Sequence, residues 1–238
     1  MPKKTKQDPA LYEKLYDMFE AAISRYDCGR KCAPLNGGEP VCCSTEHAVP
    51  IVHKVEWQFL KSRTDLWHGF KAYDAQTREI VETMASNCMA IECRGARHCE
   101  RENRSLACRA FPFFPYITRE GEFKGLSYMW EFEDRCWVIS HLEIVDAEFV
   151  KQCIAAYDLL FDHDPEELEG VREHSANMRR VFSRWNRAIP LIGRDGNYWK
   201  VLPHGRGIVR ARLKDFRRHG PYVSERAYRK AVAEESRD

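Results

Sequence analysis

The chain has 238 residues, ten of them cysteine, and a formal net charge of +2. Its length allows an ordinary buried core, so it has no need of the disulfide staples of small secreted domains. The N-terminus MPKKTKQDPALYEK lacks an apolar stretch of signal-peptide type and no apolar run approaches membrane-spanning length, which predicts a cytoplasmic, reduced protein with no membrane partner.

Asp8 and Pro9 read as an N-cap and first-turn pair, after which Leu11, Tyr12, Leu15, Phe19, Ala22, Ile23 and Tyr26 recur on one face. The spacing predicts one amphipathic helix that delivers Cys28 to the core. The segment from Ala33 to Pro40, rich in proline and glycine, predicts a turn returning the chain to Cys42 and Cys43. Two more helices are expected over 52–63 and 74–85, with Cys88 closing the second. Beyond Cys108, the run from Phe111 to Pro115 is too proline-rich for a helix or a central strand, and 122–131 alternates weakly enough for one or two short strands.

Asp146 then caps a helix carrying Phe149, Val150, Cys153, Tyr157 and Leu160. Asp164, Pro165 and Glu167 supply an N-cap, a first-turn proline and a following acid for the next, whose buried stripe is Leu168, Val171, Ser175, Met178, Phe182 and Trp185. Asp195 and Gly196 predict a hairpin, and a last short helix starts at Ser224. The expected class is α+β, mostly helical: a loop-rich, metal-nucleated cysteine core with a few short strands and a basic C-terminal extension. Residues 1–170 form the cysteine-cluster domain in this reading, and residues 171–238 a helix and hairpin extension packed on it.

The small net charge hides an asymmetry. Residues 1–170 carry 21 Lys and Arg against 29 Asp and Glu, a net −8, whereas residues 171–238 carry 17 against 7, a net +10. In the basic part Arg206, Arg210, Arg212, Arg217 and Arg218 are interleaved with Trp185, Tyr198, Trp199, Phe216 and Tyr222. Arginine beside aromatic faces suits an acidic macromolecule, nucleic acid or protein. A solvated face that balances the acidic portion of the same molecule is the other reading.

Eight cysteines fall into two groups, Cys28-x3-Cys32-x9-Cys42-Cys43 and Cys93-x5-Cys99-x8-Cys108 with Cys136 beyond. In a reduced compartment, thiolates gathered this way point to a soft metal. One structural zinc needs four ligands, and eight exceed that need. Adjacent Cys42 and Cys43 diverge at the start of their side chains and fit more easily as ligands of different metals, or of different irons in a cluster. Iron–sulfur clusters are larger and take thiolates from distant segments, in keeping with the 49 residues between Cys43 and Cys93. The expected cofactor is therefore an iron–sulfur cluster, 4Fe–4S first, with zinc as the alternative. Arg109, next to Cys108, is a candidate cofactor-binding donor to a thiolate, or else an ion-pair partner that holds the proline-rich loop. His98 could replace a thiolate, although eight cysteines make that unnecessary. Cys88 and Cys153 read as small buried hydrophobes. Leu35 stands where the third cysteine of a radical S-adenosylmethionine motif would be, and no phosphate loop, nucleophile elbow or HExxH helix appears. No catalytic residue is assignable.

The ordered cysteines from Cys28 to Cys136, the last of the spaced three standing in Cys108-Arg-Ala-Phe-Pro112, resemble the YkgJ-like cysteine-cluster family, described as zinc- or iron-chelating. Here nine residues separate Cys32 from the pair where the family usually has two, and Cys136 lies farther downstream. The resemblance implies iron–sulfur or zinc binding. Flagellin lysine methylases carry a similar arrangement, which adds protein lysine methylation to the implied activities. The sequence thus leads to a redox or macromolecule-modifying iron–sulfur protein or accessory, against a structural-zinc module for nucleic acid or an acidic protein.

Overall fold

The computed structural model describes residues 8–237. Helix α1, Pro9–Met18, starts where expected, with the Asp8 side chain accepting from the Ala10 N–H. It stops eight residues short of Tyr26, which is exposed. The Arg109 guanidinium explains the stop, because its Nη1 donates to the carbonyls of Tyr16 and Phe19 and so takes up the acceptors that another turn of helix would use. Short α2, Gly29–Cys32, then leads through the turn to Cys42 and Cys43.

Strand β1, Ile51–His53, takes the first residues of the expected second helix, leaving α3 at Lys54–Arg63. Strand β2 is Trp67–Gly69. Helix α4, Ala75–Thr83, is fixed by a reciprocal capping box between Asp74 and Thr77. Cys88 does not close that helix; it opens strand β3, Cys88–Cys93, the centre of an antiparallel sheet ordered β1-β3-β2. Helix α5, Leu106–Ala110, follows under a Ser105 cap.

The second sheet is larger, an antiparallel array β4-β5-β6-β7-β8. Strand β4, Phe113–Ile117, holds the proline-rich run at the edge, where a missing N–H is tolerated. Strand β5 is Phe123–Tyr128, β6 is Ile189–Gly193, β7 is Tyr198–Val201 and β8 is Ile208–Arg210. The β6–β7 connection is the expected Asp195-Gly196 hairpin. Between β5 and β6 the chain makes α6, Ala147–His163, and α7, Pro165–Arg184. Phe113, Leu126, Tyr128 and Ile192 pack with Phe149 of α6, and Phe114, Tyr116 and Leu191 pack with Met178 and Phe182 of α7, so both faces of the sheet are covered. Trp185, expected in that buried stripe, is 48% exposed just past the helix end. Helix α8, Glu225–Glu235, is capped by Ser224.

The expected loop-rich core nucleated by metal is thus corrected. Two antiparallel sheets and eight helices are formed among the described residues, and their interior is filled by aromatic and aliphatic side chains. Among these residues no three His, Cys, Asp or Glu side chains converge closely enough to hold a metal ion. The hydrophobic area of Tyr12, Tyr16, Phe19, Phe113 and Phe149, all essentially buried, supplies a driving force that needs no metal. The division at residue 170 falls inside α7, and the larger sheet draws strands from both sides of it. No helix among the described residues is long and apolar enough to cross a membrane.

Candidate metal centre

The structure brings the eight singled-out cysteines to one region at the margin of the core. Cys32 and Cys136 are buried and the other six half-buried. A cavity of about 330 Å³ opens there, with Cys28, Cys42, Cys43, Cys99, Cys108 and Arg104 in its wall.

Within this region several thiols lie close enough for their charges to act on one another. Cys136 lies close enough to feel the charge of Cys28 and Cys32, and Cys42 that of Cys136 and Cys32. Cys93 feels Cys43 and Cys99, and Cys108 feels Cys93 and Cys43. The adjacent pair stays together: Cys42 Sγ lies 4.0 Å from Cys43 Sγ, and Cys32 also feels Cys43.

Burial sets the acidity of most of these thiols. It pushes Cys108 and Cys136 each up to about 12, and raises Cys28, Cys32 and Cys93, with neighbouring thiols adding to the rise at Cys28. Cys43 moves the other way, because the hydrogen bond it shares with Cys42 favours its thiolate while raising Cys42. A cation among them would reverse this trend by favouring every thiolate.

The cation the chain itself supplies is Arg104, which sequence reasoning missed. Its Nε donates to Cys99 Sγ at 3.2 Å, and it is close enough to Cys28, Cys42, Cys43 and Cys108 for its charge to act on each. Arg109, the residue expected in this role, points elsewhere. Its Nε and Nη2 donate to the carbonyls of Arg104 and Glu102, its Nη1 to those of Tyr16 and Phe19, and its plane stacks over the Tyr16 ring at 4.2 Å. Both arginines neighbour the cysteines in sequence; only the direction of the chain entering α5 separates them.

His98 is exposed on a short turn before Cys99. Cys153 is 0% exposed on α6, inside the hydrophobic core, as a small apolar side chain. Cys88 is half-buried but lies against His53.

The C-terminal residues reach this region too. Tyr222 is buried, donates to the Arg135 carbonyl and lies near Cys32 and Cys136, and the Lys31 ammonium sits between the rings of Trp137 and Tyr228 of α8. Part of the basic charge is taken up inside the molecule: Arg187 grips Glu133, Arg194 grips Asp158 with two bonds of 2.7 and 2.8 Å, and Arg218 reaches Glu143. No protein-family model, curated protein or solved structure matches the chain.

Proposed function

We propose that the protein is an iron–sulfur protein whose cysteines serve two centres, Cys28, Cys32, Cys42 and Cys136 at one and Cys43, Cys93, Cys99 and Cys108 at the other, with electron transfer to or modification of a macromolecule as its role. The observation that carries this is the segregation of ten cysteines: eight gather in one region, five of them within reach of the Arg104 charge, while Cys88 and Cys153 stand apart. Eight thiols exceed the four that a single tetrahedral zinc takes, and thiolates drawn from distant segments suit a polynuclear cluster. Arg104 is placed to tune a thiolate through its hydrogen bond. Such chemistry needs a reducing compartment, in keeping with a cytoplasmic setting.

Anaerobic purification with an optical spectrum and iron, sulfide and zinc analysis tests this reading. A broad absorption near 400 nm with about eight irons per chain is expected for two 4Fe–4S centres. Cys136→Ser and Cys108→Ser should each remove about half of the iron, and Cys153→Ser none. A colourless protein with stoichiometric zinc, or one without metal, overturns it.

A further inference from the structure

A second thiol environment lies at the far end of β3. Cys88 opens that strand and Cys93 closes it, which separates them by roughly 16 Å of extended chain. Cys88 Sγ is 4.0 Å from His53 Nδ1. The other ring nitrogen, Nε2, faces Glu167 Oε2 at 3.1 Å and Asp164 Oδ2 at 3.6 Å. Thiol, imidazole and carboxylate thus stand in the order that activates a cysteine nucleophile, with the base oriented by a third group.

The arrangement is built by three distant segments. β1 supplies His53, β3 supplies Cys88 directly opposite it in the antiparallel register, and the first turn of α7 supplies the acids. Asp164 is held in place because its Oδ1 caps the helix through the N–H groups of Glu166 and Glu167, leaving Oδ2 for the imidazole. Burial pulls the His53 imidazole down, yet its hydrogen bonds to Cys88 and Glu167 outweigh burial and raise it to about 10.

A second feature marks the place. The Tyr12 hydroxyl is buried with no hydrogen-bond partner among the described residues, and it lies near enough to Glu56, Glu167, Asp164 and Cys88 to feel their charge. A cluster built only for packing rarely leaves such a group unsatisfied.

We propose that Cys88 is a reactive cysteine, activated by His53 with Glu167 and Asp164 behind it, and that its reagent is a hydroperoxide. The sulfur, its proton held on His53 Nδ1, attacks one peroxide oxygen; the S–O bond forms as the O–O bond breaks. The leaving hydroxide, or the alkoxide of an organic hydroperoxide, takes the Nδ1 proton and departs as water or alcohol. Sulfur is oxidised to the sulfenic acid and the peroxide is reduced. Cys88 is half-buried, with Asn87 Oδ1 3.6 Å from its sulfur, so a small oxidant suits the site better than a bulky substrate.

The test exposes the isolated full-length protein to hydrogen peroxide with dimedone at pH 7, beside glutathione as a free thiol, and reads each labelled position by tandem mass spectrometry. Site-resolved reading keeps Cys88 distinct from the other cysteines. Cys88 is expected to react at least tenfold faster than glutathione, and His53→Gln and Glu167→Gln, checked for folding by circular dichroism, should each slow it tenfold or more. Reaction no faster than glutathione overturns the proposal, as does an unchanged rate in either folded variant. The rate in the unmutated protein decides alone where neither variant folds.

Discussion

Glu56 is 3% exposed, and its Oε1 accepts from the Tyr16 hydroxyl at 2.8 Å and from the Leu106 N–H at 2.7 Å. Burial raises its carboxyl above the ordinary 4.5, against the pull of those two hydrogen bonds. The folded protein therefore holds this proton to higher pH than the unfolded chain does, and the group's contribution to stability falls as pH rises from 4.5 through its folded value. Glu56→Gln keeps an acceptor oxygen and removes the charge, so stability at pH 7 should be equal or higher and the decline above pH 4.5 should flatten. Glu56→Ala strands two donors and should cost about 2–3 kcal/mol. Urea unfolding across pH 4.5–7 distinguishes them; equal losses in both variants would show that the charge itself is what holds α1 to α5. At this scale the sequence revealed which residue types matter but not which of two arginines faces a sulfur. Arg104 and Arg109 differ in orientation alone, and orientation is fixed by carbonyls on α1 that lie some 90 residues away in the chain.

Elements whose ends are set by their own residues were legible. Asp8, Asp146, Asp164 and Ser224 each accept from a backbone N–H at the start of a helix, and Asp195-Gly196 closes the β6–β7 hairpin. Strands β1, β2 and β3 were not, because two have three residues and none has a clean alternation; pairing across distant segments is what makes them strands. The same dependence on a distant partner governs β5 and β6. Gly125, at φ 152°, sits opposite Gly193, and a Cβ added to it would lie 2.3 Å from the Ile192 carbonyl oxygen. Gly125→Ala should therefore push the two strands apart and cost about 3 kcal/mol, read as a lower urea midpoint. An alanine that leaves the midpoint unchanged would mean that the seam relaxes freely there.

For the molecule as a whole, residues 171–238 are an integral part of the fold. They supply three of the five strands in the larger sheet, the Phe182 and Met178 side chains that cover its outer face, and Tyr222 beside the cysteines. A chain ended at Gly170 would leave β5 with an unpaired edge and bare one face of the sheet, so it should be found in aggregates on size-exclusion chromatography. A monomeric, cooperatively unfolding fragment 1–170 would restore the expected self-standing cysteine domain with a C-terminal extension packed on it. The charge boundary is crossed by ion pairs, since Arg187, Arg194 and Arg218 meet acids of the first 170 residues. Long-range charge complementarity in sequence looks the same whether the partner is another molecule or the same one.

The seam between Gly125 and Gly193 also sets a clock. On the ribosome, at about 5–20 residues per second, the partner of β5 is made roughly 3–14 s after β5 itself. Throughout that interval the nascent chain carries a hairpin of β4 and β5 with one open side and the seven cysteines from Cys28 to Cys108 that precede it in the proposed centres, with Cys136 following as it emerges. The helical hairpin of α6 and α7 is the segment made during the wait, and it is the part of the chain best able to fold on local contacts alone.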